Sequence, residues 1–241
     1  MQGDSLGHPQ ATAPITNRLL DRLSARDRTH VIRECEKVEL VFAEILDEPG
    51  EPIRNVYFPT GSVVALFAAM GGKDNIEVSL AGSEGVYGVP VAFGVGISPV
   101  HAMVHGGGTA WRLSPASFGR VLARVPALRN AVNRYIHVVM SQLIRAAGCN
   151  RFHVVEQRLA RSLLMTADRS HTPTFRVTHE VLAYMLGVRR EGVTQAASAL
   201  QRRGLIAYRR GLVTILDRRG LERASCPCYR SDIEAYDRAL G

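Results

Sequence analysis

Apolar residues change their spacing along the chain, and each change marks a change of architecture. From about residue 37 to 113, short segments such as "VELVFAEIL", "NVYFP", "SVVALFAAM" and "NIEVSLA" are separated by the turn-forming "EPGEP", "PTG", "GGKDN" and "GSEG". Short strands at that spacing, without long helices between them, predict an antiparallel sandwich or barrel. Before them, Ile15, Leu19, Leu20, Leu23, Val31 and Ile32 fit one or two short helices, and the Gly, Pro, Ser and Thr of residues 1 to 14 read as a loose tail. Near Pro115 the period becomes helical. Ser114 is a cap and Pro115 is pre-set for the first helical position. Beyond Pro126, apolar Leu128, Val132, Ile136, Val139 and Leu143 recur at helical spacing, joined by Tyr135, until Gly148. A long helix between two domains has to cover such a stripe, and a twin helix in a homodimer is the expected cover. Residues 152 to 167 predict one more amphipathic helix.

The segment "VTHEVLAYMLGVRREGVTQAASALQRRGLI", residues 177 to 206, holds two short helices. Thr178 caps the first, Leu182, Met185 and Leu186 form its inward face, and Gly187 permits a sharp turn. In the second, Val193, Ala196, Ala197 and Leu200 share one sector, whereas Arg190, Glu191, Thr194, Gln195, Ser198 and Arg202 project elsewhere. That is a helix-turn-helix, whose second helix presents its first turns to the major groove. "GLIAYRRGLVTILD" follows as a hairpin with Arg209, Arg210 and Gly211 at its tip, a wing beside the reading helix. Arginine pairs with guanine O6 and N7, glutamine with adenine N6 and N7, and glutamate accepts from cytosine N4. Arg190, Glu191 and Gln195 are therefore the base-reading candidates, and Thr178, Arg189, Thr194, Arg202, Arg203, Arg209 and Arg210 the candidates for DNA phosphates.

Charge strengthens that reading. Residues 1 to 100 carry 8 Lys and Arg against 13 Asp and Glu, net −5; residues 101 to 241 carry 22 against 9, net +13. An acidic front and a basic back predict two jobs, the back one on a polyanion. Residues 1 to 17 lack the apolar core of a secretory signal, and no apolar run is long enough to span a bilayer, so a cytoplasmic protein without membrane attachment is expected.

On these motifs the chain, from about residue 17, resembles the Crp/Fnr family of bacterial transcription regulators. The resemblance implies an α+β fold: an N-terminal antiparallel β jelly roll of cyclic-nucleotide-binding type, a long dimerisation helix and a C-terminal winged helix-turn-helix. The corresponding bounds are residues 15–125, 126–150 and 151–241. It implies a homodimer on a near-palindromic double-stranded DNA site, with RNA polymerase as a further partner. The family's Arg-Glu-x-Val-x-Arg reading pattern falls on Arg190, Glu191, Val193 and Gln195, the last departing from arginine.

The resemblance also places a possible effector pocket at Glu84, Gly88, Val89, His101 and Ala102. Val89 follows Gly88 where the family has the ribose-binding glutamate, and His101 precedes Ala102 where it has the phosphate-binding arginine. Neutral histidine is a poor substitute for a guanidinium fork, so a small effector other than cyclic AMP is expected, with an effector-independent jelly-roll scaffold as the alternative. Glu84 supplies the carboxylate if the register slides. No cofactor is expected. Residues 1 to 34 contain no cysteine, which excludes the family's N-terminal iron–sulfur cluster. His30, His101 and His105 read as surface or core residues. Cys226 and Cys228 in "SCPCY" supply only two ligands, with Cys35 and Cys149 distant in sequence, so no metal is expected. "GSEGVYG" lacks the framework of a nucleophile elbow, and no paired acid and base mark an enzyme.

Overall fold

The computed structural model describes residues 16–69 and 75–241, which leaves the expected tail of residues 1 to 14 outside the described chain. Two short helices, α1 (Arg18–Asp21) and α2 (Ala25–Arg33), are capped by the side chains of Asn17 and Ser24. Seven strands follow: β1 (Glu36–Leu40), β2 (Ile45–Asp47), β3 (Val56–Pro59), β4 (Val63–Ala69), β5 (Asn75–Ala81), β6 (His101–Gly106) and β7 (Gly108–Leu113). They form two antiparallel sheets, ordered β1-β7-β3 and β2-β6-β4-β5, the crossed strand order of a jelly roll.

Helix α3 (Pro115–Arg124) begins as the sequence predicts, with Ser114 accepting from the Ser117 amide and Pro115 in the first turn. Helix α4 (Pro126–Phe152) is 27 residues long. His153 and Val154 are extended, so the next helix, α5 (Val155–Ser170), starts three residues later than the apolar period suggests. Then come β8 (Thr174–Arg176), α6 (His179–Leu186), α7 (Arg190–Arg202), β9 (Ile206–Arg209) and β10 (Leu212–Ile215), with the three strands in the order β8-β10-β9. The chain continues into α8 (Arg218–Ala224) and α9 (Cys228–Leu240).

Strand β4 explains how the two halves meet. Val64 faces the jelly-roll interior with Tyr57, Tyr87 and Val104, whereas Val63, Ala65 and Phe67 join a core that includes Leu159, Leu163, Leu182 and Leu200 of the C-terminal domain. Both faces of the strand are covered, so its sequence is a continuous apolar run instead of an alternating one. Phe67 is fully buried, its ring 4.7 Å from that of Tyr184 on α6.

The stripe on α4 requires a correction. Leu128, Val132 and Tyr135 are buried within their own chain, packed with Leu19, Leu20 and Phe118, and are not available to a twin helix. Ile136 and Val139 are partly buried beside that core. Towards the end of α4, Met140, Leu143 and Ile144 are exposed, Ile144 by 74%. The regular period thus continues through two different surroundings, the first half covered by α1, α3 and α9.

Helix α9 returns along α4 to the jelly roll. The Tyr236 hydroxyl donates to the Glu84 carbonyl at 2.9 Å, and the Arg22 guanidinium donates to the Leu240 carbonyl. Asp232 of α9, 3% exposed, is bound by Arg145 of α4 and by Arg161 of α5, the latter through Nε at 3.2 Å and Nη2 at 2.6 Å. No helix among the described residues is long and apolar enough to cross a membrane.

Candidate nucleic-acid interface

Local chemistry sets the angle between α6 and α7. The Thr178 hydroxyl oxygen accepts from the Val181 amide at 3.1 Å, closing the start of α6. Gly187 ends it with φ +59°, a conformation in which any L side chain is strained, and Ile76 stands 3.3 Å from where a Cβ would be. The Arg158 guanidinium donates to the Leu186 carbonyl and so satisfies the end of the helix. Val193, Ala196, Ala197 and Leu200 bury one side of α7. Arg189, Arg190, Glu191, Thr194 and Gln195 remain exposed on the other, at the end nearest the turn. Arg189 occupies the N-cap position and makes no side-chain cap, so its guanidinium is free for other partners.

The wing is a two-residue hairpin. Arg209 pairs with Leu212, and Arg210 and Gly211 between them have φ +52° and +75°, the positive pair of a type I′ turn. The Val177 amide donates to the Gly211 carbonyl at 2.9 Å and the Tyr208 hydroxyl to the Val177 carbonyl at 2.7 Å, which fix the wing against the start of α6. Arg209 and Arg210 are exposed at the tip, and Arg202 is exposed at the end of α7. Arg203 differs from the others in being paired with Glu156 at 2.6 Å.

His179 belongs to the same surface, although the sequence reading does not single it out. Its Nδ1 is 3.1 Å from the Thr194 hydroxyl, its ring is 4.5 Å from that of Tyr208, and burial together with the Arg190 charge lowers its pKa. The imidazole at this place buttresses the start of α7 against the wing. The signal available was its position beside Thr178, at the first helical residue of a helix-turn-helix.

The five residues expected around an effector do not converge. Glu84 is buried and paired with Arg169 of α5 at 2.9 Å, facing the C-terminal domain. Gly88 has φ +94° and starts the turn Val89–Phe93, where Val89 packs beside the α3–α4 core. His101 reaches Glu48 at 2.8 Å, and Ala102 is fully buried in the jelly-roll interior. That interior is occupied by Tyr57 and Tyr87, 6.2 Å apart, with the Tyr87 hydroxyl donating to Asp47. His105 is a core residue, and burial lowers its pKa to about 4. A cavity of about 600 Å³ lies instead between the two halves, bordered by Glu84, Arg169, His171, Arg218, Tyr229 and Asp232.

The isolation expected of Cys226 and Cys228 is also corrected. Because α9 returns along α4, Cys149 comes within 3.5 Å of Cys226, and His153 Nδ1 lies 3.7 Å from Cys228 Sγ.

The chain is thus a jelly roll joined by a long helix to a winged helix-turn-helix whose second helix has an exposed polar face. Residues 157–224 match the Crp-like helix-turn-helix domain family. No curated protein sequence matches the chain. Among solved structures, it is similar to the c-di-GMP-responsive global regulator CLP of Xanthomonas campestris: 17% identity over 80% of this chain and 99% of that one, TM-score 0.64. It is also similar to FixK2 from Bradyrhizobium japonicum, at 13% identity over 80% and 98%, TM-score 0.66. A CRP/FNR-family transcriptional regulator from Thermus thermophilus gives 20% identity over 79% and 98%, TM-score 0.62. Residues 157–224 thus form a Crp-like helix-turn-helix domain, and the chain as a whole shares the fold of these solved structures.

Proposed function

We propose that the chain acts as a homodimeric, sequence-specific transcription regulator that reads a near-palindromic DNA site. The observation that carries this reading is the joint exposure of Arg190, Glu191 and Gln195 on one side of α7 while the opposite side is locked in the core. Those three side chains have the donor and acceptor patterns of guanine, cytosine and adenine partners. Thr178, Arg189, Thr194, Arg202, Arg209 and Arg210 serve the phosphates. Arg203 joins them only by leaving Glu156.

Exposed Met140, Leu143 and Ile144 support pairing of two α4 helices through the second half of their length. A two-fold pair would set the reading helices about one DNA turn, roughly 34 Å, apart. A small effector other than cyclic AMP is better served by the interdomain cavity than by the packed jelly roll, since its volume suits a small molecule and its walls come from both halves. Such a ligand shifts the protein only if it binds the docked and released arrangements unequally. RNA polymerase as a partner and the cytoplasm as the site of action follow from regulation of transcription.

Selection of binding sites from a random duplex library by the purified protein tests the reading. An inverted repeat with half-sites about one turn apart, bound less tightly as salt rises, is the expected outcome. Recovery of no common sequence, with and without cell-extract small molecules, would contradict it.

A further inference from the structure

The end of α4 and the connection between α8 and α9 bring together four residues for which the DNA-reading function has no use. Cys149 and His153 stand one helical turn apart at the end of α4, and Cys226 and Cys228 flank Pro227 at the start of α9. One ligand atom from each lies within 4.8 Å of all the others. Cys149, Cys226 and Cys228 are buried and form a small cluster apart from the apolar cores.

The spacing is that of ligands around one ion. Zinc–sulfur bonds of about 2.3 Å at tetrahedral angles put two thiolates about 3.8 Å apart, and a thiolate and an imidazole nitrogen slightly closer. The Cys149–Cys226 separation of 3.5 Å and the Cys228–His153 separation of 3.7 Å are close to it, and the remaining ligand atoms lie within 4.8 Å of one another. A disulfide would need sulfurs about 2.05 Å apart. A cluster of several irons distributes its thiolate ligands around more than one metal atom and needs a wider ring. Three thiols and one imidazole suit zinc(II), and four protein ligands fill a tetrahedral ion, which makes the site structural. Three thiolates on a divalent ion leave one excess negative charge. Arg158 and Arg161 are close enough for their charges to couple to Cys149 and Cys226, and Arg161 is itself held by Asp232.

We propose that Cys149, His153, Cys226 and Cys228 form a mononuclear zinc(II) site that clips the start of α9 to the end of α4, at the joint between the long helix and the DNA-binding domain. The far end of α9 is tied to the jelly roll through Tyr236 and Leu240. The clip therefore anchors a strap that spans both halves of the molecule. Metal bound only by the folded joint stabilises it by mass action.

The test is the metal content of the full-length, untagged protein after gel filtration, followed by exchange of zinc for cobalt(II). About one zinc per chain is expected, with the visible ligand-field and thiolate charge-transfer bands of tetrahedral cobalt in the exchanged protein. Changing both Cys226→Ser and Cys228→Ser should reduce bound metal to below roughly a tenth of that value, and His153→Ala should weaken retention against a chelator. Cys35→Ser, outside the cluster, should leave the metal count unchanged. The unmodified chain decides the question even if the double variant fails to fold. Protein that neither carries zinc nor takes up cobalt overturns the proposal. So does a Cys149–Cys226 disulfide in protein alkylated at lysis, or stoichiometric iron with labile sulfide.

Discussion

Asp232 is the point at which α4, α5 and α9 are held together, and its replacement by asparagine tests whether that ion cluster fixes the C-terminal strap. The substitution keeps the side chain's size but removes the charge shared by Arg145 and Arg161. Removing one partner of a buried pair typically costs about 3–5 kcal/mol, because the remaining charge is left desolvated. The side chains of Arg145 and Arg161 are 25% and 16% exposed, so water relieves part of this, and about 2–3 kcal/mol is expected. For a chain of this length that corresponds to a fall in Tm of about 4–12 °C. Thermal unfolding followed by circular dichroism measures it, and a double-mutant cycle with Arg161→Met isolates the pair. The double variant should cost less than the sum of the two singles, since each removes the group that strands the other. A loss below about 0.5 kcal/mol with additive effects would make the cluster an incidental contact that does not hold the strap.

Two further outcomes follow from particular side chains. Glu77 on β5 has one carboxylate oxygen without a hydrogen-bond partner, and burial raises its pKa to about 8 despite Arg161 and Arg169 nearby. Between the ordinary carboxylate range and about pH 8 unfolding then releases a proton, so Glu77 makes stability fall as pH rises, by at most about 1.4 kcal/mol per pH unit. Melting curves of Glu77→Gln across pH 5 to about 8 should show a flatter dependence than the parent, and parallel curves would contradict the assignment. At the wing tip, replacing Arg209 and Arg210 by alanine should weaken binding to all DNA sequences alike and lower the salt slope by about 1 for each phosphate no longer neutralised; fluorescence anisotropy at several salt concentrations reads both quantities.

The reading domain was legible because its constraints are local. Thr178, Gly187 and the sector Val193, Ala196, Ala197 and Leu200 announce their roles within about 25 residues, and each is found in that role. Interactions made across the chain were not legible. The apolar run of β4 reads equally well as a strand of a sandwich and as one covered on both faces, and only the docked C-terminal domain distinguishes them. The stripe on α4 has one period, but its first half meets α1, α3 and α9, so helical spacing alone does not say which neighbour it faces. Helix α9 carries Tyr229, Asp232, Tyr236 and Leu240 at helical spacing, a pattern weakened as a signal by the acidic member that pairs with two arginines. Cys149 and Cys226 are 77 residues apart, and only the return of α9 makes them neighbours.

The most direct test of the central claim, that α7 reads base sequence, compares the parent and Arg190→Ala on the selected DNA site and on every single-base variant of one half-site. The parent should prefer one guanine–cytosine pair by about 1–3 kcal/mol, and Arg190→Ala should lose this preference at that position alone with its salt slope nearly unchanged. Uniform weakening across all the variants, with a reduced salt slope, would mean that Arg190 only touches phosphate and that the exposed face of α7 does not read sequence through it.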